Sequence, residues 1–124
     1  MRRFPVSILI LFFLVLSGCA SVDEDATKGW SAQRLYDEGK TALANKEYTN
    51  AVEYFEKLEA RYPYGPYAEQ AMLEIAYAYY RSDEMASAIA AANRFLRVHP
   101  THPHVDYAYY LKGLASFDEE RSSL

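Results

Sequence analysis

The sequence predicts an all-α fold of stacked helical hairpins, about two and a half of them, preceded by a signal peptide. Three observations predict it. Beyond Ser31 the chain is rich in Ala, Leu, Tyr, Glu and Arg with apolar residues at helical spacing, and no run alternates long enough to suggest a strand. A residue pattern recurs every 37 positions. Paired prolines return at the same interval and mark turns between helices.

In chain order, Arg2 and Arg3 form a basic start, and residues 6–16 are apolar except for Ser7. Eleven residues rising ~1.5 Å each cannot cross a hydrocarbon core that needs about 20, so residues 1–18 read as a secretory signal. Cys19 is the only cysteine, which leaves an exported chain without a disulfide framework or a thiolate metal cluster. Leu16-Ser17-Gly18-Cys19 resembles the bacterial lipobox, and that resemblance implies a covalent lipid on Cys19. Several acyl chains, at about 0.8 kcal/mol per buried methylene, hold a protein durably to a bilayer. Ala20, where retained lipoproteins carry Asp, implies sorting to the outer membrane.

The mature chain, residues 19–124, is one domain's worth. Without Arg2 and Arg3, 11 of the 13 basic residues face 17 acidic ones, a formal charge of −6. That balance argues against nucleic acid or an anionic membrane face as partner. Residues 21–31 are polar and acidic, so residues 19–30 read as a flexible tether, with Asp23, Glu24 and Asp25 as solvated charge. Residues 31–124 are the repeat domain.

Gly39, Ala76 and Gly113 stand 37 residues apart, as do Tyr36, Leu73 and Tyr110. Ala51 answers to Ala88, and Pro63-Tyr64-Gly65-Pro66 to Pro100-Thr101-His102-Pro103. This punctuation predicts helices over residues 31–45, 48–62, 66–82, 85–98 and 103–118. Pro66 and Pro103 suit a first helical position, which places Gly65 and His102 at the N-caps. Glu69 and Asp106 then complement the helix dipoles. Asn45-Lys46 and Ser82-Asp83 mark tight turns inside the hairpins.

The residues Leu35, Gly39, Ala42, Ala51, Phe55, Leu58 and Pro63 resemble the tetratricopeptide motif. Met72, Ala76, Tyr79, Ala88, Ala92, Phe95 and Pro100 match it again. The step is longer than the usual repeat of about 34 residues. Exchange of bulk between Phe55/Leu58 and Ala92/Phe95 conserves packed volume. The resemblance implies a solenoid whose concave face is lined by the first helix of each hairpin. Carried onto this chain, the lining is Gln33, Tyr36, Lys40 and Leu43, then Gln70, Leu73, Tyr77, Tyr80 and Arg81, then Tyr107, Tyr110, Leu114 and Phe117. Of these, Tyr36, Lys40, Leu73, Tyr77, Tyr80, Arg81, Tyr107, Tyr110 and Leu114 are the candidate substrate-binding residues. Tyrosine combines apolar area with a polar tip and suits peptide recognition; packing between helices is the competing role.

Catalytic readings find little support. His99, His102 and His104 share one proline-stiffened turn, with Asp106 the only nearby carboxylate candidate for a metal set. No Gly-x-Ser-x-Gly elbow or phosphate-binding glycine loop occurs, and Asp118-Glu119-Glu120 reads as a solvated helix end. The expectation is a protein that binds, with no cofactor, no metal and no chemistry.

A closer resemblance rests on three segments. They are Arg61-Tyr62-Pro63-Tyr64-Gly65-Pro66-Tyr67, Ala76-Tyr77-Ala78-Tyr79-Tyr80-Arg81, and the run from Arg94-Phe95-Leu96-Arg97 through Pro100-Thr101-His102-Pro103 to Tyr107. Together with the lipobox they resemble the BamD (ComL) family of lipoproteins of the outer-membrane β-barrel assembly machine. The resemblance implies a lipid-anchored protein on the periplasmic side of the outer membrane. Its partners would be a BamA-type barrel subunit, other assembly lipoproteins and unfolded outer-membrane proteins. The third repeat stops at Leu124 without its second helix, which implies a truncated form. Another tetratricopeptide lipoprotein, such as a pilotin for secretin assembly, is the alternative.

Overall fold

The computed structural model describes residues 24–124, and among them the chain forms five helices and no strand. In order they are α1 (Ala32–Ala44), α2 (Tyr48–Arg61), α3 (Pro66–Arg81), α4 (Met85–Val98) and α5 (Val105–Ser122). The signal peptide, Cys19 and the start of the tether lie outside the described residues.

Helix α1 begins where Ser31 Oγ accepts a hydrogen bond from Arg34 N, which satisfies one of the free donors of the first turn. Its end is a Schellman closure: Lys46 N donates to Leu43 O and Glu47 N to Ala42 O. The second hairpin repeats this, with Asp83 N donating to Tyr80 O and Glu84 N to Tyr79 O. Both closures need a left-handed residue and neither uses glycine: Lys46 has φ 62° and Asp83 φ 66°.

The two turns between hairpins diverge. Gly65 takes φ 104° and ψ 174°, a conformation open to glycine, and Pro66 follows at the first helical position as expected. His102 stands at the equivalent place and cannot follow that path. The chain instead makes two further turns, His102 N donating to His99 O and Val105 N to His102 O. Helix α5 therefore starts at Val105 with His104 as its N-cap, correcting the expected start at Pro103, and it runs on to Ser122.

The core follows the repeat. Leu35, Ala51, Phe55 and Leu58 of the first hairpin are fully buried, as are Ala76, Ala92 and Phe95 of the second. A Cβ on Gly39 would meet the Phe55 ring at 2.6 Å, so this close approach of α1 to α2 requires glycine. Consecutive helices pack together, and α1 also packs on α3 and α3 on α5, whereas α2 and α4 do not pack on each other. First helices thus crowd the inner side while second helices splay outside, which curves the stack.

Part of the expected tether is docked, and Asp25, though exposed as composition suggests, is ion-paired with Lys57 and Arg61. Arg61 donates to Thr27 O, Thr27 Oγ1 and the Asp25 carboxylate, and Lys57 Nζ lies 3.3 Å from Asp25 Oδ1. Tyr62 donates its hydroxyl to Trp30 O, the Trp30 ring stacks 6.0 Å from Tyr54, and the Arg34 guanidinium lies 4.0 Å from the Trp30 ring centroid. Thr27 is buried beneath this clasp. The Thr27 hydroxyl and N–H, assisted by Lys57, pull the Asp25 carboxyl down to about 2.

Candidate binding groove

The inner face is built on α1, α3 and α5, and its centre is Glu74, a carboxylate only 8% exposed. One oxygen, Oε1, accepts from three donors: Lys40 Nζ at 2.9 Å, Gln70 Nε2 at 3.3 Å and Tyr36 OH at 3.4 Å. Lys40 and Tyr36 lie on one hairpin and Glu74 on the next, so the cluster ties the repeats together while holding a charge at the groove floor. Such a charge is tolerable because it is paired and hydrogen-bonded. The Tyr36 ring packs against Phe55 and Tyr67, so Tyr36 serves both core and groove. Burial, then the negative charge of Glu74, pushes its phenol up to about 12.

Further along, Arg81 donates to Tyr77 OH at 2.8 Å and lies over the rings of Tyr77 and Tyr48. Tyr80 donates to Asp118 Oδ2 at 3.1 Å, joining α3 to α5. Asp118, which also pairs with Arg121 at 3.4 Å, is therefore a groove residue and not merely a solvated helix end. Tyr107 faces the same region, its phenol pushed up to about 12 by burial and then by Glu74. Tyr110 at 60% and Phe117 at 62% exposure present open aromatic surface, with Leu114 partly covered beside them.

One candidate is displaced. Leu73 is 1% exposed and packs with Met72, Phe95 and Ala108, so it is a core residue; Leu43 is buried as well. The α3 helix, packed against α1, α2, α4 and α5, buries every residue from 71 to 76. Glu74 was missed because the register repeats its charge only once, at Asp37, which is exposed, and places Leu111 at the other equivalent position. Its signal was spacing, since Gln70, Glu74 and Tyr77 share one helix face.

The histidine turn is structural in its contacts. His102 Nε2 lies 3.2 Å from Glu69 Oε2 and its Nδ1 accepts from His104 N at 3.1 Å, while its ring meets Phe95 edge-on. The carboxylate that reaches it is Glu69, correcting the expectation of Asp106, whose Oδ1 accepts from Tyr107 N. Among the described residues no group of three His, Cys, Asp or Glu is placed to hold a metal, and no helix is long and apolar enough to cross a membrane.

Helical hairpins in one register, curved around a tyrosine-lined inner face, define a tetratricopeptide-type repeat protein. The chain belongs to the YfiO family, described as outer membrane lipoprotein, whose pattern matches residues 29–124. It is 48% identical over 116 residues to the outer membrane protein assembly factor BamD of Neisseria meningitidis serogroup B, covering 90% of this chain and 43% of that protein. The BamD of Xylella fastidiosa is 37% identical over 116 residues, covering 93% of this chain and 40% of the relative. That of Vibrio cholerae serotype O1 is 37% identical over 113 residues, covering 91% and 46%. The chain thus spans less than half the length of these relatives.

Proposed function

We propose that this chain is the client-receiving segment of an outer-membrane protein assembly factor, anchored by lipid on Cys19 and facing the periplasm. Its groove binds unfolded outer-membrane proteins, which pass to a BamA-type barrel subunit working with other assembly lipoproteins. It acts by binding alone. The observation that carries this reading is the row Tyr36, Tyr77, Tyr80, Tyr107 and Tyr110 across three helices, interleaved with Lys40, Glu74 and Arg81. Aromatic faces take the apolar side chains of a nascent strand, and fixed charges of both signs hold its unpaired backbone and termini. Kinship with assembly factors named BamD supports the same reading.

The test is photocrosslinking from position 110 of the purified full chain to a urea-diluted outer-membrane porin. Strong crosslinks are expected from there and few from Glu38, on the far side of α1. The triple variant Tyr77→Ala/Arg81→Ala/Tyr110→Ala should weaken binding by about tenfold or more with an unchanged circular dichroism spectrum. Unchanged affinity in that variant would remove the groove as the client site. Cys19→Ser should release the protein from membranes, and fractionation that still finds it bound would overturn the anchor.

A further inference from the structure

We propose a second binding surface on the outer side of the stack: a trough between α2 and α4 that takes a basic amphipathic helix of a partner protein. Because α2 and α4 do not pack on each other, the seam between them is open, floored by Ile75 and Tyr79 from α3. Two clefts, of about 520 and 300 Å³, meet there, sharing Glu56 and Tyr79 in their walls. Along α2 the lining runs from Tyr48 to Glu59, a length of ~18 Å, which matches about three turns of a docked helix. The α4 wall is Ser87, Ala90 and Ala91, small enough for a partner backbone to come close.

Charge selects the occupant. Four carboxylates line the trough, Glu53, Glu56, Glu59 and Glu84, against one guanidinium, Arg94. Arg94 is already held by both oxygens of Glu59, at 3.0 and 2.8 Å, at one end of the seam. Lys46 stands beyond Tyr48 at the other end. Glu56 and Glu84 have no ion pair among the described residues, and they flank the Tyr79 hydroxyl, which takes no hydrogen bond there either. An apolar floor with Glu56 at its middle and Glu84, which accepts from Ser82 Oγ, towards one end complements a helix carrying small or branched apolar residues on one face and Lys or Arg beside them. An acidic wall repels nucleic acid and anionic lipid, and it opposes the same wall of a second copy.

The probe is a synthetic amphipathic peptide of about 14 residues, Leu, Ala and Lys, with a Glu-for-Lys version as control. Binding to the full chain is read by peptide fluorescence anisotropy at low and physiological salt. The Lys peptide should bind, weaken with salt, and lose roughly tenfold affinity in Glu56→Gln/Glu84→Gln, which keeps shape while removing charge. Ala90→Trp, which fills the trough, should weaken it as well, whereas Glu120→Gln, exposed near the end of α5, should not. Equal binding of the two peptides, or unchanged affinity in the double Gln variant with a native dichroism spectrum, would overturn the proposal. So would sedimentation showing a dimer that Ala90→Trp dissolves, since the occupant would then be a second copy.

Discussion

Where the first hairpin sets Gly39 beneath the ring of Phe55, the second sets Ala76 and Ala92 at the same two register positions and places its ring at Phe95, the register equivalent of Leu58. All of these residues are buried, so neither hairpin is a degraded copy of the other. What the repeat preserves is filled volume at a fixed spacing; which residue supplies it is free to change if its neighbour changes too. Glycine at 39 is thus explained by a phenylalanine sixteen residues away and not by any turn.

Variants that disturb this exchange test it, and the largest effect belongs to Phe55→Ala. Emptying the space under α1 should cost about 3–5 kcal/mol in urea unfolding, against about 1 kcal/mol for Ala92→Gly at the equivalent site. A loss below that of Ala92→Gly would show that the two hairpins do not differ as described. Next comes Gly39→Ala, expected to cost about 1–3 kcal/mol because the ring must shift, while the same change in a Phe55→Ala background should be neutral or stabilising. Additive costs in that double-mutant cycle would sever Gly39 from Phe55.

A third difference is the clasp, which only the first hairpin carries. The Asp25 carboxyl sits at about 2 in the folded protein against an ordinary 3.8, so its contribution is complete above about pH 4 and disappears as pH falls toward 2. Melting temperature should drop across that window, and Asp25→Asn should flatten the drop while lowering the melting point at pH 7. An identical acid profile in the variant would show the clasp to be idle. The smallest effect concerns the turns the hairpins share: Lys46→Gly should stabilise by about 0.5–1 kcal/mol, relieving a left-handed lysine. Asp83→Gly should gain less, because aspartate tolerates that conformation better.

The register of Gly39, Ala76 and Gly113 located the hairpins, and the turn at Gly65-Pro66 together with those at Asn45-Lys46 and Ser82-Asp83 located three helix starts, because both depend on local chemistry that recurs. The fifth start was misplaced since the Pro-x-x-Pro spacing looks identical in both turns, whereas Gly65 and His102 have different backbone freedom. On the inner face, the resemblance assigns Tyr77, Tyr80, Arg81 and Tyr110 to the lining, and none of them is buried. Leu73 is, because burial depends on how many helices flank a position, which a repeat averages away. Glu74 and the Asp25–Arg61 clasp were invisible for a related reason. Each joins residues more than thirty positions apart without repeating, so no periodicity announces them.

The clasp also sets a leash. With the chain secured at Asp25, an acyl group on Cys19 would be separated from a fixed point by six residues, at most ~20 Å even when fully drawn out. A loose tether running to Ser31 would allow about twice that reach. On the proposed anchoring, the solenoid is therefore moored close against the lipid headgroups, and its first hairpin is the end that stays nearest to them.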